Sequence, residues 1–160
     1  MKLQVLAVGG TIDKVYFDAL SEYHIGAPAA SEILQRVKAN FDYEITQIIS
    51  KDSLDMTDED RCEILSAVQA HPGQHVIITH GTDTMVDTGR VLKAATGKTI
   101  VIMGAMAPAI MKLTDADFNL GVAVAAVQAL PQGVYLCMNG RIYNVDRVVK
   151  NRAQGQFQDA

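Results

Sequence analysis

The sequence predicts an α/β fold: a three-layer, doubly wound, mostly parallel sheet closed by a C-terminal hairpin, in a single domain. Three observations predict it. Short apolar runs alternate with helical segments along the chain, the order that puts helices on both faces of a parallel sheet. Glycines or polar clusters punctuate the ends of the apolar runs. Near the end, Asn139-Gly140 is a tight-turn pair between two strand-like runs. At 160 residues the chain is one ordinary domain, able to bury roughly 70% of its unfolded surface.

Residues 3–8 are apolar except Gln4 and end at Gly9-Gly10, as a buried strand does. Residues 13–26 are polar and read as a long loop, which in a compact domain is usually functional. Residues 28–40 read as a helix, with Ser31 in its first turn and Ile33, Leu34 and Val37 on one face. A second strand spans 43–49, followed by a polar connection over 50–56. Thr57-Asp58-Glu59-Asp60 is an N-cap with acidic first-turn residues, which suit the positive helix end. That helix runs to about residue 70, with Cys62, Leu65 and either Ile64 or Val68 inward, and Pro72-Gly73 stops it. Then come a strand at 76–79, a helix at 84–95, a strand at 99–103 closed by Gly104, an apolar helix at 115–130 and a strand at 134–138. Residues 141–145 return as the hairpin partner. The chain divides into an α/β unit over 1–150 and a polar tail over 151–160, expected to be an arm or disordered.

Lys plus Arg number 14 and Asp plus Glu 18, giving a net charge of −4. A mildly acidic chain is not a general nucleic-acid binder, although small anionic or zwitterionic ligands remain open to it. The apolar N-terminal run is too short for a signal peptide and no run reaches the length of a membrane span. Cys62 and Cys137 lie far apart with no metal-ligand spacing, so zinc is not expected, and the reading is two reduced, buried thiols in a cytoplasmic protein. GxGxxG and the P-loop are absent, which disfavours a nucleotide-binding module. His24, His71 and His75 read as surface or loop residues. Met103, Met106 and Met111 read as core or interface filler.

Ligands of doubly wound sheets sit outside the carboxyl ends of the strands. Three polar clusters stand there: Gly9-Gly10-Thr11, Asp52-Ser53-Leu54-Asp55 and His80-Gly81-Thr82-Asp83-Thr84. Helix capping accounts for one polar residue of the third cluster, not for five in a row. Its residues suit a substrate ammonium on Asp83, Thr82 near a reactive carbon, and a helix N-terminus for developing negative charge. His80 is expected to orient its neighbours rather than act in acid–base chemistry.

Val8-Gly9-Gly10-Thr11-Ile12 and His80-Gly81-Thr82-Asp83-Thr84-Met85 resemble the two signature segments of bacterial-type L-asparaginases. Ser53-Leu54-Asp55-Met56, Gly104-Ala105-Met106-Ala107-Pro108, Asp117-Phe118-Asn119-Leu120 and Lys150 match in order and spacing. The likeness spans nearly the whole chain and is nearest to the short, single-domain members. It implies hydrolysis of L-asparagine to L-aspartate and ammonia, with some glutaminase activity common in the family, and no metal or cofactor. Thr11 matches the primary nucleophile. Thr82, Asp83 and Lys150 match the family's second cluster, and Gly10, Ser53, Gly81 and Asp83 fall on the substrate-binding segments. The partner tyrosine is Tyr16 or Tyr23, with Tyr16 preferred because Thr11-Ile12-Asp13-Lys14-Val15-Tyr16 keeps a compact spacing. Two positions depart from the pattern: Leu54 stands where the family has Gln, and Ala107 where it often has Arg.

Threonine attack through an acyl-enzyme splits a difficult hydrolysis into two easier steps. An ordinary lysine, with pKa about 10.4, is neutral at pH 7 only at a cost of about 4.6 kcal/mol. A relay through Lys150, with Tyr16 or a water as immediate acceptor, therefore stands beside Lys150 as free base. Backbone N–H groups around Gly10 and Thr82 are the expected oxyanion donors. The long loop is expected to close over the site, and Arg147 and Arg152 to reach a neighbouring subunit of a homodimer or homotetramer. The alternative function is a non-catalytic aspartate- or asparagine-binding domain on the same fold.

Overall fold

The computed structural model describes residues 2–160. β1 (Lys2–Gly9) leads through a one-turn helix (Thr11–Asp13) into β2 (Lys14–Phe17) and β3 (Glu22–Ile25). There follow α1 (Ala29–Arg36), β4 (Asp42–Lys51), a one-turn helix (Ser53–Asp55), α2 (Asp58–Ala70), β5 (His75–Thr79), α3 (Met85–Leu92) and β6 (Thr99–Met103). The chain ends with α4 (Ala116–Ala129), β7 (Gly133–Met138), β8 (Arg141–Asn144), a one-turn helix (Val145–Arg147), β9 (Val148–Asn151) and β10 (Gln156–Asp159). The main sheet runs β4-β1-β5-β6-β7-β8. Its first five strands are parallel, and β8 pairs antiparallel with β7 across the Asn139-Gly140 turn. The doubly wound fold with its C-terminal hairpin is therefore present.

Two apolar cores flank the sheet, and the period-2 alternation of the strands divides them. Leu3, Val5, Ile77 and Val101 face α1 and α4 through Ile33, Leu34, Leu120 and Val127. Leu6, Val8, Ile78 and Ile102 face α2 and α3 through Ile64, Val68, Met85 and Leu92. With both faces covered, β1, β5 and β6 read as continuous apolar runs. α2 starts on a full capping box: the Asp60 amide donates to Thr57 Oγ1 at 3.3 Å and the Thr57 amide to Asp60 Oδ2 at 2.8 Å. Lys51 donates to both Asp60 oxygens at 2.8 Å and holds that carboxyl below its ordinary range.

Four expectations are corrected. Residues 14–25 are not a loop but a hairpin, in which Tyr16 pairs with Tyr23 and Val15 with His24. Its turn closes through the Ser21 amide on the Asp18 carbonyl with Ser21 left-handed, so neither glycine nor proline marked it. The tail is not a disordered arm: β10 pairs with β9, and Phe157 is buried opposite Lys150. Cys62 faces solvent, because the cap sets the phase of α2 so that Arg61, Ile64 and Val68 turn inward. α1 ends at Arg36, with Lys38 left-handed just beyond and Val37 exposed.

Candidate active site

The ends of β1, β4 and β5 converge because β1 lies between the other two. Beyond the strand ends the three turns pack closely on one another. A Cβ on Gly10 would lie 2.3 Å from the Gly81 nitrogen, and one on Gly81 would lie 2.6 Å from Ser53 Cβ and Oγ. Gly10 also holds φ at +82°, a conformation side chains rarely adopt. Gly10, Ser53 and Gly81, which are separate in sequence, thus form one wall. Thr11 opens the one-turn helix leaving Gly10 and is half-buried.

Next to that wall Lys150, on β9, donates to Thr82 Oγ1 at 2.8 Å and to Asp83 Oδ1 at 2.7 Å. The Lys150 side chain is largely buried and that of Asp83 about two-thirds so. Ser53 braces the same turn: its Oγ accepts the Asp83 amide at 3.2 Å and its carbonyl accepts the Thr84 hydroxyl at 2.8 Å. An accepting Ser53 Oγ keeps its own proton for an incoming acceptor.

His80 lies behind the turn, fully buried, and burial pushes its pKa down to about 4. The Gly81 carbonyl, 2.8 Å from Nδ1, can only accept, so Nδ1 carries the proton of the neutral ring. Nε2 then accepts from the Thr88 hydroxyl at 2.8 Å. This geometry is that of an orienting histidine.

Among the described residues, neither tyrosine makes a hydrogen bond to this cluster. Tyr16 and Tyr23 stack edge-to-face at 5.6 Å on the hairpin, 49% and 47% exposed, with neither hydroxyl bonded among the described residues. Lys14 anchors the hairpin base to Asp52 at 2.8 Å, beside Ser53, and that hydrogen bond lowers the Asp52 carboxyl. Leu54 projects from the same turn, 66% exposed. The Gly10 amide is taken by the Lys51 carbonyl at 3.0 Å. Thr11 and Thr82 keep amides without such a partner among the described residues.

Sequence reasoning missed Asp13. It is 2% exposed, with Oδ1 accepting the Ala29 amide at 2.8 Å to cap α1 and Oδ2 without a partner among the described residues. Burial raises its carboxyl to about 6. No spacing signals such a cap, since 16 residues separate the partners. Asp13 also borders a cavity of about 690 Å³ between α1 and residues 109–117. Among the described residues no group of three or more His, Cys, Asp or Glu side chains is placed to hold a metal ion, and no helix is long and apolar enough to cross a membrane.

Comparison with known proteins agrees with this architecture. The family model for the N-terminal asparaginase domain matches residues 2–158. A probable periplasmic L-asparaginase of Haemophilus influenzae is 33% identical over 161 residues, covering 92% of this chain and 46% of the relative. The solved thermostable L-asparaginase of Thermococcus kodakarensis superposes with a TM-score of 0.85 at 28% identity, over 99% of this chain and 51% of that one. A probable cytoplasmic L-asparaginase of Campylobacter jejuni does so with a TM-score of 0.82 at 28% identity, with the same coverage. The chain belongs to the asparaginase family, whose N-terminal domain it matches. It spans about half the length of the relatives it resembles.

Proposed function

We propose that this chain hydrolyses L-asparagine to L-aspartate and ammonia, with Thr11 as nucleophile and an acyl-enzyme intermediate. The observation that carries the reading is the Thr82–Asp83–Lys150 cluster braced on Ser53, on the same rim as the Gly10–Gly81 contact beside Thr11. Asp83 takes the substrate α-ammonium, and Ser53 Oγ–H donates to the α-carboxylate, with Gly10 and Gly81 as the backbone floor. Thr11 Oγ attacks the side-chain amide carbon while its proton passes to Tyr16 or a water. The C–N bond breaks, ammonia leaves with a proton, and water then cleaves the ester and restores Thr11. Lys150 already directs two N–H groups at Thr82 and Asp83. It organises the relay as a donor rather than serving as the free base. The amides of Thr11 and Thr82 face the developing oxyanion, each such donor being worth about 3 kcal/mol.

The 14–25 hairpin, hinged between Asp13 and Gly26, brings Tyr16 over the site when substrate binds. Residues 1–150 form the hydrolytic unit and 151–160 complete it. The working form is a homodimer or homotetramer in the cytoplasm, the setting in which two unpaired thiols are stable.

Ammonia release from L-asparagine by the wild type, abolished in Thr11→Ala, tests the reading. The second reading, aspartate or asparagine binding without turnover, is favoured by the exposed Leu54 and the outward tyrosines. Calorimetric binding of L-aspartate with no ammonia release selects it.

A further inference from the structure

Two segments that carry the family resemblance, Gly104-Ala105-Met106-Ala107-Pro108 and Asp117-Phe118-Asn119-Leu120, supply none of the residues assigned a role above. The fold ties them together through a polar hub of half-buried Asp115 and buried Asn119. Asp115 occupies the N-cap position of α4, yet its side chain caps no amide of that helix. It turns to the preceding loop instead. Oδ1 accepts the Met106 amide at 2.9 Å and the Ala107 amide at 3.1 Å, and Oδ2 accepts Asn119 Nδ2 at 2.8 Å and shares the Met106 amide at 3.0 Å. Asn119, fully buried, also donates to the Gly104 carbonyl at 3.0 Å, and its Oδ1 accepts the Asn139 amide at 3.1 Å. An aspartate at an N-cap ordinarily stabilises its own helix by about 1 kcal/mol. Here that interaction is absent and the carboxylate holds a loop.

The loop so held lies against Thr82. A Cβ on Gly104 would fall 2.4 Å from the His80 carbonyl oxygen and 3.2 Å from Thr82 Cγ2, so Gly104 is packed directly on this turn. Met106 Sδ lies 3.8 Å from Thr82 Oγ1. Because that oxygen already accepts from Lys150, its own hydrogen points to the sulfur, a weak acceptor. A proton held this loosely is ready to go to a better acceptor on a substrate.

We propose that Asp115 and Asn119 are positioning residues for the hydrolysis: they set the 104–107 turn so that Gly104 seats Thr82 and Met106 holds the Thr82 proton weakly. The proposal rests on Thr82 serving the reaction described above. Asp115→Ala removes every bond to the loop. Asp115→Asn keeps an oxygen for the two loop amides and loses what Oδ2 accepts: the link to Asn119 and the second contact to the Met106 amide.

The expected result is a kcat at least tenfold lower in Asp115→Ala and about threefold lower in Asp115→Asn, with KM within twofold of wild type in both. Equal losses in the two variants, or a lower Tm with kcat intact, overturns the proposal. A readout independent of turnover is the NMR shift of the Thr82 methyl together with amide exchange at Met106 and Ala107. Asp115→Ala is expected to change both, and faster exchange with an unmoved Thr82 methyl overturns the proposal. If the wild type releases no ammonia, the hydrolase reading fails on its own, and the NMR pair still decides whether the hub positions Thr82.

Discussion

Gly10 and Gly81 meet backbone to backbone, so closely that a Cβ on Gly10 would stand 2.3 Å from the Gly81 nitrogen. This contact joins the turn that carries Thr11 to the turn that carries Thr82. Gly10→Ala therefore has to push the two turns apart, and it also imposes an unfavourable φ that by itself costs about 1–3 kcal/mol. The expected outcome is a fall in Tm together with loss of ammonia release. A variant that melts like wild type with unchanged kcat contradicts the contact.

Lys150 reaches Thr82 and Asp83 with a single ammonium group. Lys150→Met keeps the length of the stem and removes both hydrogen bonds. Its kcat is expected to fall about 10²–10⁴-fold, the range of a lost proton-transfer group. Steady-state ammonia assays on the purified variant check this. A loss below threefold removes Lys150 from the relay.

Tyr16 and Tyr23 compete for one role, and their rings face each other on the hairpin. Neither hydroxyl holds the fold together, so removing either one changes stability by no more than about 0.5 kcal/mol. Tyr16→Phe is expected to lower kcat at least tenfold, and Tyr23→Phe to leave it within threefold. The reverse order in parallel assays transfers the role to Tyr23.

Phe157 pairs with Lys150 across the terminal hairpin and is buried, and its carbonyl accepts the Tyr143 hydroxyl at 2.6 Å. Phe157→Ala opens a cavity under that strand, with an expected destabilisation of about 3–5 kcal/mol. It also loosens the backbone that carries Lys150, so kcat falls along with Tm. Urea denaturation and ammonia assays on the same sample measure both.

Asp13 and His80 give stability opposite pH dependences. The Asp13 carboxyl titrates near 6 in the fold against an ordinary 3.8. Its contribution is full below 3.8 and is lost as pH rises through 6. His80 titrates near 4 against an ordinary 6.5. Its contribution is full above 6.5 and is lost as pH falls through 4. Each swing amounts to about 3 kcal/mol, so between pH 4 and 6 they nearly cancel. Asp13→Asn is expected to unmask the His80 slope, so that unfolding free energy rises with pH across this window more steeply than in wild type. Urea midpoints at half-unit pH steps test it, and parallel curves for the two proteins contradict the Asp13 assignment.

The parallel sheet, the order of its helices and the Asn139-Gly140 turn were legible because they rest on local properties: apolar runs, the acidic cap at Thr57 and a dipeptide suited to a tight turn. The chemical segments were legible for the same reason, since Gly10-Thr11 and residues 80–84 are contiguous. Tertiary structure decided what depends on distant partners. Asp13 is buried by a helix that begins 16 residues later. Residues 156–159 become a strand because the strand carrying Lys150 offers its edge. Asp115 forgoes its own helix for a loop nine residues back. Local sequence sets what a segment tends to form; which side chain is buried, and which hydrogen bond it makes, is a competition that only the packed chain resolves.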